Sequence, residues 1–235
     1  MAESDKHYMV DEALLEAIVD YAGLEAEDAV LEVGGGTGNL TEKIAKKGKV
    51  TVFEKDRSLA AGLRKRFKDE SNVAVLGADA LKAPYPSYNK IVSNIPYSIS
   101  RDLLERFVVE GFEVAVLVVQ REFARKLMAK PGQDSYRMVS VLAQTSCEIE
   151  YMKDVPPDAF EPVPKVRSAA IRMRQTWKPG KDYIAFLNRL FSQQNKKVRN
   201  IMDAPPEYAQ MKPAEMEPAK MRDLYLTISA SPKVP

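Results

Sequence analysis

The sequence predicts an α/β fold: a parallel sheet with helices on both faces, followed by a small C-terminal helical domain. Three observations lead there. Short apolar strands alternate with amphipathic helices from Ala29 to Val119. A glycine cluster, Gly34-Gly-Gly-Thr-Gly38, follows the first long strand at once. After the last strand, two helical segments flank a Pro-, Glu- and Ala-rich stretch, residues 203–218.

The segment from Asp11 to Ala22 carries Leu14, Leu15, Ile18, Val19 and Ala22 on one face. Asp11 can cap this helix and Gly23 can end it. Just before it, Lys6-His7-Tyr8-Met9 reads as a terminal segment holding the only histidine of the chain. Ala29–Val33 is a strand, and Asn39–Lys47 a helix stopped by Gly48. Strand, glycine turn, helix is the setting in which a backbone approaches a nucleotide, and the spacing is G-x-G-x-G at Gly34, Gly36 and Gly38. Lys49–Phe53 is the next strand and ends in Glu54, 20 residues after Gly34. A carboxylate there can accept from both hydroxyls of a ribose. Ser58–Lys68 is a helix with a basic end, Arg64, Lys65, Arg66 and Lys68, open to a solvated or an RNA-binding reading. Val73–Asp79 is the third strand of the alternation.

Lys90–Ile95 is the fourth, and Asn94-Ile95-Pro96-Tyr97 breaks it. Pro96 fixes its own φ and removes a donor, which stiffens the turn. The turn offers an amide oxygen, a backbone carbonyl and a ring. Two acceptors suit the two hydrogens of an exocyclic amine, and the ring suits the face of a base. Alone, the motif equally describes an ordinary strand-ending turn. However, Gly34–Gly38, Glu54, Asp79 and Asn94–Tyr97 all fall at the carboxyl ends of successive strands, where such sheets bind ligands.

Arg101–Glu110 is a helix, Val114–Val119 an apolar strand and Gln120–Ala129 a basic helix with Arg121, Arg125 and Lys126. Tyr136–Cys147 reads as a helix. Glu148–Val155 and Ser168–Met173 read as strands joined by residues 156–167, which four prolines stiffen. Phe160 is the one bulky aromatic there, either a binding residue or one tucked into the core. Trp177–Gly180 is a linker. Asp182 caps a helix predicted to run to about Met202, with a basic end at Lys196, Lys197 and Arg199; Asp203–Pro218 is a loop and Ala219–Ser229 a last helix. The predicted domains are 1–177 and 178–235, within the size expected for 235 residues.

Composition narrows the chemistry. One cysteine, Cys147, excludes an internal disulfide, and one histidine argues against a His/Cys metal cluster or a Ser-His-Asp triad; no metal is expected. The net charge of +2 leaves nucleic-acid binding to local clusters. The longest apolar run, Val114–Val119, is too short to span a membrane. Met1–Lys6 is charged and no apolar signal core follows, so a cytoplasmic location is expected.

Glu32-Val-Gly-Gly-Gly-Thr-Gly38, Glu54, Asp79 and Asn94-Ile-Pro-Tyr97, in this order, look like an S-adenosylmethionine-dependent methyltransferase acting on an adenine amine. With Phe160-Glu-Pro-Val-Pro-Lys-Val166 they resemble the KsgA-type small-subunit rRNA adenine dimethyltransferase family, in a compact archaeal-looking form. The resemblance runs from Lys6 to the final helix. It implies a Rossmann-like class I methyltransferase sheet in a catalytic domain, an RNA-recognizing helical domain and a monomer. It places Gly34, Gly36 and Gly38 at the methionine part of S-adenosylmethionine, Glu54 at the ribose, Asp79 at the adenine end and His7 and Met9 over the cofactor. Asn94 lies between cofactor and base. By the same resemblance Asn94 and the Ile95 carbonyl receive the target amine across Pro96, and Tyr97 and Phe160 sandwich the base. Arg121, Arg125, Lys126, Lys165, Lys196, Lys197 and Arg199 are the expected RNA contacts. The implied substrate is the immature small subunit, dimethylated at two adjacent adenosines of the 3′-terminal hairpin loop. Lys6, Tyr8-Met9 and Arg167 depart from the family's usual Gln, Phe-Leu and Asp. The alternatives are a large-subunit rRNA or DNA adenine methyltransferase, and an RNA-binding assembly factor without catalysis.

Overall fold

The computed structural model describes residues 6–230; the charged residues Met1–Asp5 and the last residues of the predicted second domain, 231–235, lie outside the described residues. The chain forms two compact units, residues 1–124 with 149–175, and residues 125–148 with 176–235. The second unit therefore takes in residues 125–148 besides the segment after the predicted boundary at 177.

The first unit is built on strands β2 (Ala29–Val33), β3 (Lys49–Phe53), β4 (Val73–Leu76), β5 (Lys90–Asn94), β6 (Val114–Gln120), β7 (Cys147–Val155) and β9 (Ser168–Gln175). Their order is β4-β3-β2-β5-β6-β9-β7. β2 to β6 pair in parallel, as expected, but β9 runs antiparallel to β6. The sheet is thus mixed, not wholly parallel. The reason is local: β9 leaves the 156–167 connection at the edge where β6 ends, with Ser168 opposite Gln120, and must run back across the sheet. A separate pair joins β1 (Tyr8–Met9) to β8 (Phe160–Glu161), with Met9 opposite Phe160.

Alternation along the strands sends side chains to two faces. Val30, Val50, Val52, Val92, Val116 and Val118 form one cluster with Leu14, Leu15, Ile18 and Val19 of α1 (Glu12–Tyr21) and Leu40 and Ile44 of α2 (Asn39–Ala45). Leu31, Phe53, Ile91 and Leu117, on the other pleat, are equally buried. There Phe53 meets the Tyr85 ring edge-on at 5.4 Å, and Tyr85 lies 6.2 Å from Phe107 of α4 (Ser100–Glu110). Caps fix the helix starts: Asp11 accepts the Leu14 N–H, and Asp56 accepts from Ser58 and Leu59 to open α3 (Arg57–Arg66).

The second unit contains α6 (Met138–Ser146), α7 (Lys181–Phe191), the short α8 (Pro206–Ala209) and α9 (Pro218–Ala230). Tyr136 donates to the Met216 carbonyl, and Tyr183, which belongs to a ring cluster with Trp177, Phe186 and Tyr225, donates to Thr145. Two expectations fail here. α7 begins after Gly180, and Asp182 instead takes the Tyr225 hydroxyl. It ends at Phe191, not near Met202, because the chain folds back: the Val198 N–H bonds the Met211 carbonyl and Arg189 holds the Ile201 carbonyl. α8 interrupts the predicted 203–218 loop.

At the edge opposite the glycine turn, Lys90 is only 9% exposed. Its ammonium donates to the Gly23 carbonyl at 2.6 Å and to Asp28 at 2.7 Å. Burial pushes the Asp28 carboxyl up, but Lys90, the Glu25 N–H and Asn89 together hold it below the usual range. Replacing Lys90 with Met leaves a buried carboxylate without its counter-charge, held only by the Glu25 N–H and Asn89. We expect a loss of about 1–3 kcal/mol in chemical denaturation at neutral pH. The loss should shrink as acid protonates Asp28; a pH-independent difference would mean that packing alone is involved.

Candidate active site

The glycine turn is shaped by the side chains that pack against it. A Cβ at Gly35 would stand 2.4 Å from Val52, one at Gly36 2.6 Å from the Tyr8 ring, and one at Gly38 2.8 Å from the Phe67 ring. Gly34, Gly36 and Gly38 also have φ of +82°, +54° and +91°, open to glycine at little cost. Arg66 locks the turn from outside. Its guanidinium donates to the Thr37 carbonyl at 2.6 Å, to the Asn39 side-chain oxygen at 3.1 Å and to Glu42 at 2.6 Å. This member of the basic helix end is exposed but engaged in bonds to the turn, which its spacing in the sequence does not reveal.

Glu54 is 1% exposed and faces the same turn. One carboxylate oxygen accepts the Gly36 N–H at 3.0 Å and the other the Asp56 N–H at 2.9 Å. Each oxygen keeps a second lone pair, so Glu54 can fix the turn and still accept from a diol.

The N-terminal segment completes the cleft. The Asn39 amide donates to the Met9 carbonyl at 2.8 Å, which ties β1 to the start of α2. The His7 Nδ1–H donates to the Pro162 carbonyl at 2.8 Å; a carbonyl can only accept, so the proton sits on Nδ1. The Asn94 amide nitrogen donates to the His7 carbonyl at 3.2 Å, which sets the orientation of that amide. Its Oδ1 then points away, buried and without a hydrogen-bond partner among the described residues. Tyr97 stands over the same space, with its ring 6.1 Å from that of His7 and its hydroxyl 2.5 Å from Ser168.

One cleft is lined by His7, Tyr8 and Met9, the turn from Gly34 to Thr37, Glu32, Glu54 and the run Asn94–Tyr97. It gathers the residues predicted from three strand tips and the N-terminus. Three predicted residues are not brought to its wall. Gly38 caps α2 and sits behind the turn. Asp79 pairs with Lys55 at 2.9 Å and accepts the Leu81 N–H, and the Lys55 ammonium first among these holds its carboxyl low. Phe160 is 1% exposed and belongs to the hydrophobic core beside Met9. Of the two readings left open for Phe160, this conformation has the core residue, because pairing with β1 turns its ring inward. Tyr8, Glu32 and Asn39 were missed. Asn39 carries no local motif, whereas Tyr8 and Glu32 stood in quoted segments without a role.

Of the expected RNA contacts in the first unit, Lys165 is exposed and Arg121 half-buried. In the second unit Arg125, Lys196 and Arg199 are exposed, Lys126 is half-buried, and Lys197 bonds Gln210. Among the described residues no group of His, Cys, Asp and Glu could hold a metal ion, and no helix is long and apolar enough to cross a membrane.

Residues 3–220 match the family model described as ribosomal RNA adenine dimethylase. The chain is 33% identical to a probable ribosomal RNA small subunit methyltransferase A of Methanococcoides burtonii, over 94% of this chain and 90% of that protein. Among solved structures it resembles a dimethyladenosine transferase from Plasmodium falciparum, with a TM-score of 0.84, 23% identity, and 95% and 98% of the two chains covered. It also resembles the 23S rRNA methyltransferase ErmE, with a TM-score of 0.72, 26% identity, and 94% and 99% covered.

Glu32 lies on β2 beneath the turn, 1% exposed, and accepts the Thr41 hydroxyl at 2.6 Å. Burial pushes its pKa up to about 8, with the Thr41 bond opposing and the Glu54 charge adding to the rise. At neutral pH it holds a proton that the unfolded chain has released. Stability should therefore fall as pH rises from about 4.5, the ordinary value, to about 8. Glu32→Gln should flatten that decline in thermal melts taken across the window. An unchanged slope would mean that Glu32 is ionised in the fold.

Proposed function

The chain belongs to the ribosomal RNA adenine dimethylase family, and from that premise we propose that it dimethylates the 6-amino groups of two adjacent adenosines in the 3′-terminal hairpin loop of small-subunit rRNA. Its substrate is the immature small subunit, where methylation accompanies subunit biogenesis, and it works as a cytoplasmic monomer. The observation that carries the assignment is the buried, partnerless Oδ1 of Asn94, held by the His7 carbonyl so that an acceptor faces the cleft. A buried acceptor left unpaired is costly, and an amine donor relieves that cost.

The cleft fits the cofactor of this family: buried Glu54 keeps two acceptor positions beside a turn whose backbone is fixed. S-adenosylmethionine supplies an electrophilic methyl group when bound. The residues of the chain supply the nucleophile's geometry. The adenine amine lone pair is delocalised into its ring. Asn94 Oδ1 and the Ile95 carbonyl draw the two amine hydrogens toward a pyramidal, sp³ geometry that localises the lone pair and aims it at the methyl carbon. As positive charge grows on nitrogen, the same two dipoles stabilise it. The Tyr97 ring offers a face for the extruded base, and alignment lowers the remaining barrier. Phe160 can form the second wall only once the β1–β8 pair shifts. Asp79 serves the adenine end of the cofactor and Gly38, with Gly34 and Gly36, its methionine part, while His7 and Met9 close over it.

Cations that are exposed or half-buried carry RNA. Arg121 and Lys165 in the first unit and Arg125, Lys126, Lys196, Lys197 and Arg199 in the second are the proposed phosphate partners. Neutralising Lys196, Lys197 and Arg199 together should flatten the log–log salt dependence of RNA binding by about 0.7–0.9 for each phosphate that is no longer neutralised. An unmoved slope would return the cluster to being a solvated surface.

The direct experiment is incubation with labelled S-adenosylmethionine and unmethylated small subunits, followed by mapping of the methylated nucleotides. Label at other nucleotides, or none, overturns the assignment. The second transfer has one amine hydrogen left and so leans on one acceptor. Asn94→Ala should slow both transfers and shift the ratio of monomethyl- to dimethyladenosine in a single-turnover time course. Wild-type rates and ratio would remove the two-acceptor arrangement.

A further inference from the structure

The loop after β8 has an inverted pattern. Pro164 is buried, while Val163 and Val166 point outward at 63% and 42% exposure. Val163 is the most exposed large apolar side chain among the described residues. Lys165 and Arg167, also exposed, alternate with these valines, and Glu161 is the one acid at the foot of the loop. Both ends of the loop are held by rings of the cleft. His7 bonds the Pro162 carbonyl at 2.8 Å and Tyr97 bonds Ser168 at 2.5 Å. The Arg121 N–H takes the Arg167 carbonyl at 2.9 Å. The loop is therefore anchored beside the mouth of the cleft, and its apolar side chains face outward by construction.

We propose that Val163 and Val166 form an apolar wedge against the RNA stack from which the target adenosine is extruded. This inference rests on the assignment of an RNA adenine amine as substrate. A base that leaves its stack exposes the faces of its neighbours to water. Apolar side chains inserted at such a step cover those faces and hold the helix open. The alternation supports RNA as the occupant: Lys165 and Arg167 meet phosphates on either side while the valines meet bases. The wedge and the acceptors share one scaffold, because His7 and Tyr97 hold the loop and also line the cleft. Unstacking and capture are thereby placed in register.

The test uses a hairpin RNA with 2-aminopurine at the target position, whose fluorescence rises on unstacking, and RNA affinity measured separately by anisotropy. The full-length protein with S-adenosylhomocysteine should raise the fluorescence. In Val163→Ser/Val166→Ser we expect the rise at saturating protein to fall about tenfold, with RNA affinity changed less than about threefold. Lys165→Ala should do the reverse: weaker, less salt-dependent binding, with the full rise once saturated. A full rise in the double valine variant overturns the wedge and leaves those valines to a protein partner. A parallel loss of affinity and rise overturns it too, because the valines would then only bind. Methylation of unmethylated small subunits by the wild-type protein is the control for the underlying assignment. If wild type methylates and the valine variants extrude normally, only the wedge fails; if wild type does not methylate, both fall.

Discussion

The packing beneath Gly34–Gly38 governs the rest of the site. Val52, Leu63, Phe67 and Tyr8 occupy the positions that side chains on the turn would need. With no side chains between, the backbone of the turn lies directly on the sheet and α3. Its N–H at Gly36 then falls within reach of Glu54, and Arg66 can close over Thr37 and Asn39. Close packing of this kind has few alternative arrangements. The position of the turn is accordingly set by the packing of this chain's own side chains.

From the turn, the constraint passes to the target side through one side chain. Asn39 receives Arg66 on its oxygen and gives its amide to the Met9 carbonyl. β1, fixed there, pairs with β8 and offers the His7 carbonyl to Asn94. The orientation of the Asn94 amide is thus a consequence of where the N-terminal segment lies. Lys6, with its ammonium 3.1 Å from Asp56, adds an ion pair at the start of the same segment. That pair is exposed enough to contribute little to stability.

Much of this was legible in the sequence, and the unread remainder has a common physical origin. β2 and β3 fall on the residues expected, because each is a short apolar run closed by a turn signal and paired with neighbours of the same kind. Glu54 and Asn94 were identified from position on such strands. The β1–β8 pair was not: each strand has two residues, and partners such as Tyr8 and Glu161 lie far apart in the chain. No periodicity exists over two residues. The end of α7 was misplaced for the same reason, because Val198 leaves the helix to bond Met211. Arg66 and Phe160 show the limit from the other side. A basic helix end and a loop aromatic look alike in sequence whether they face solvent, ligand or core.

The antiparallel entry of β9 has a consequence for change over evolutionary time. The parallel strands deliver the turn, Glu54 and Asn94 to one edge, while residues 156–167 reach that edge from a strand that contributes nothing to the cofactor side. Within this connection β8 pairs with β1, so Phe160 and Glu161 are bound to the segment that reaches Asn94. Beyond β8, residues 162–167 are flanked by bonds to His7, Tyr97 and Arg121 and share no strand with Gly34–Gly38. Substitutions at exposed positions there, such as Val163 and Lys165, change what the loop meets while leaving the packing under the turn in place.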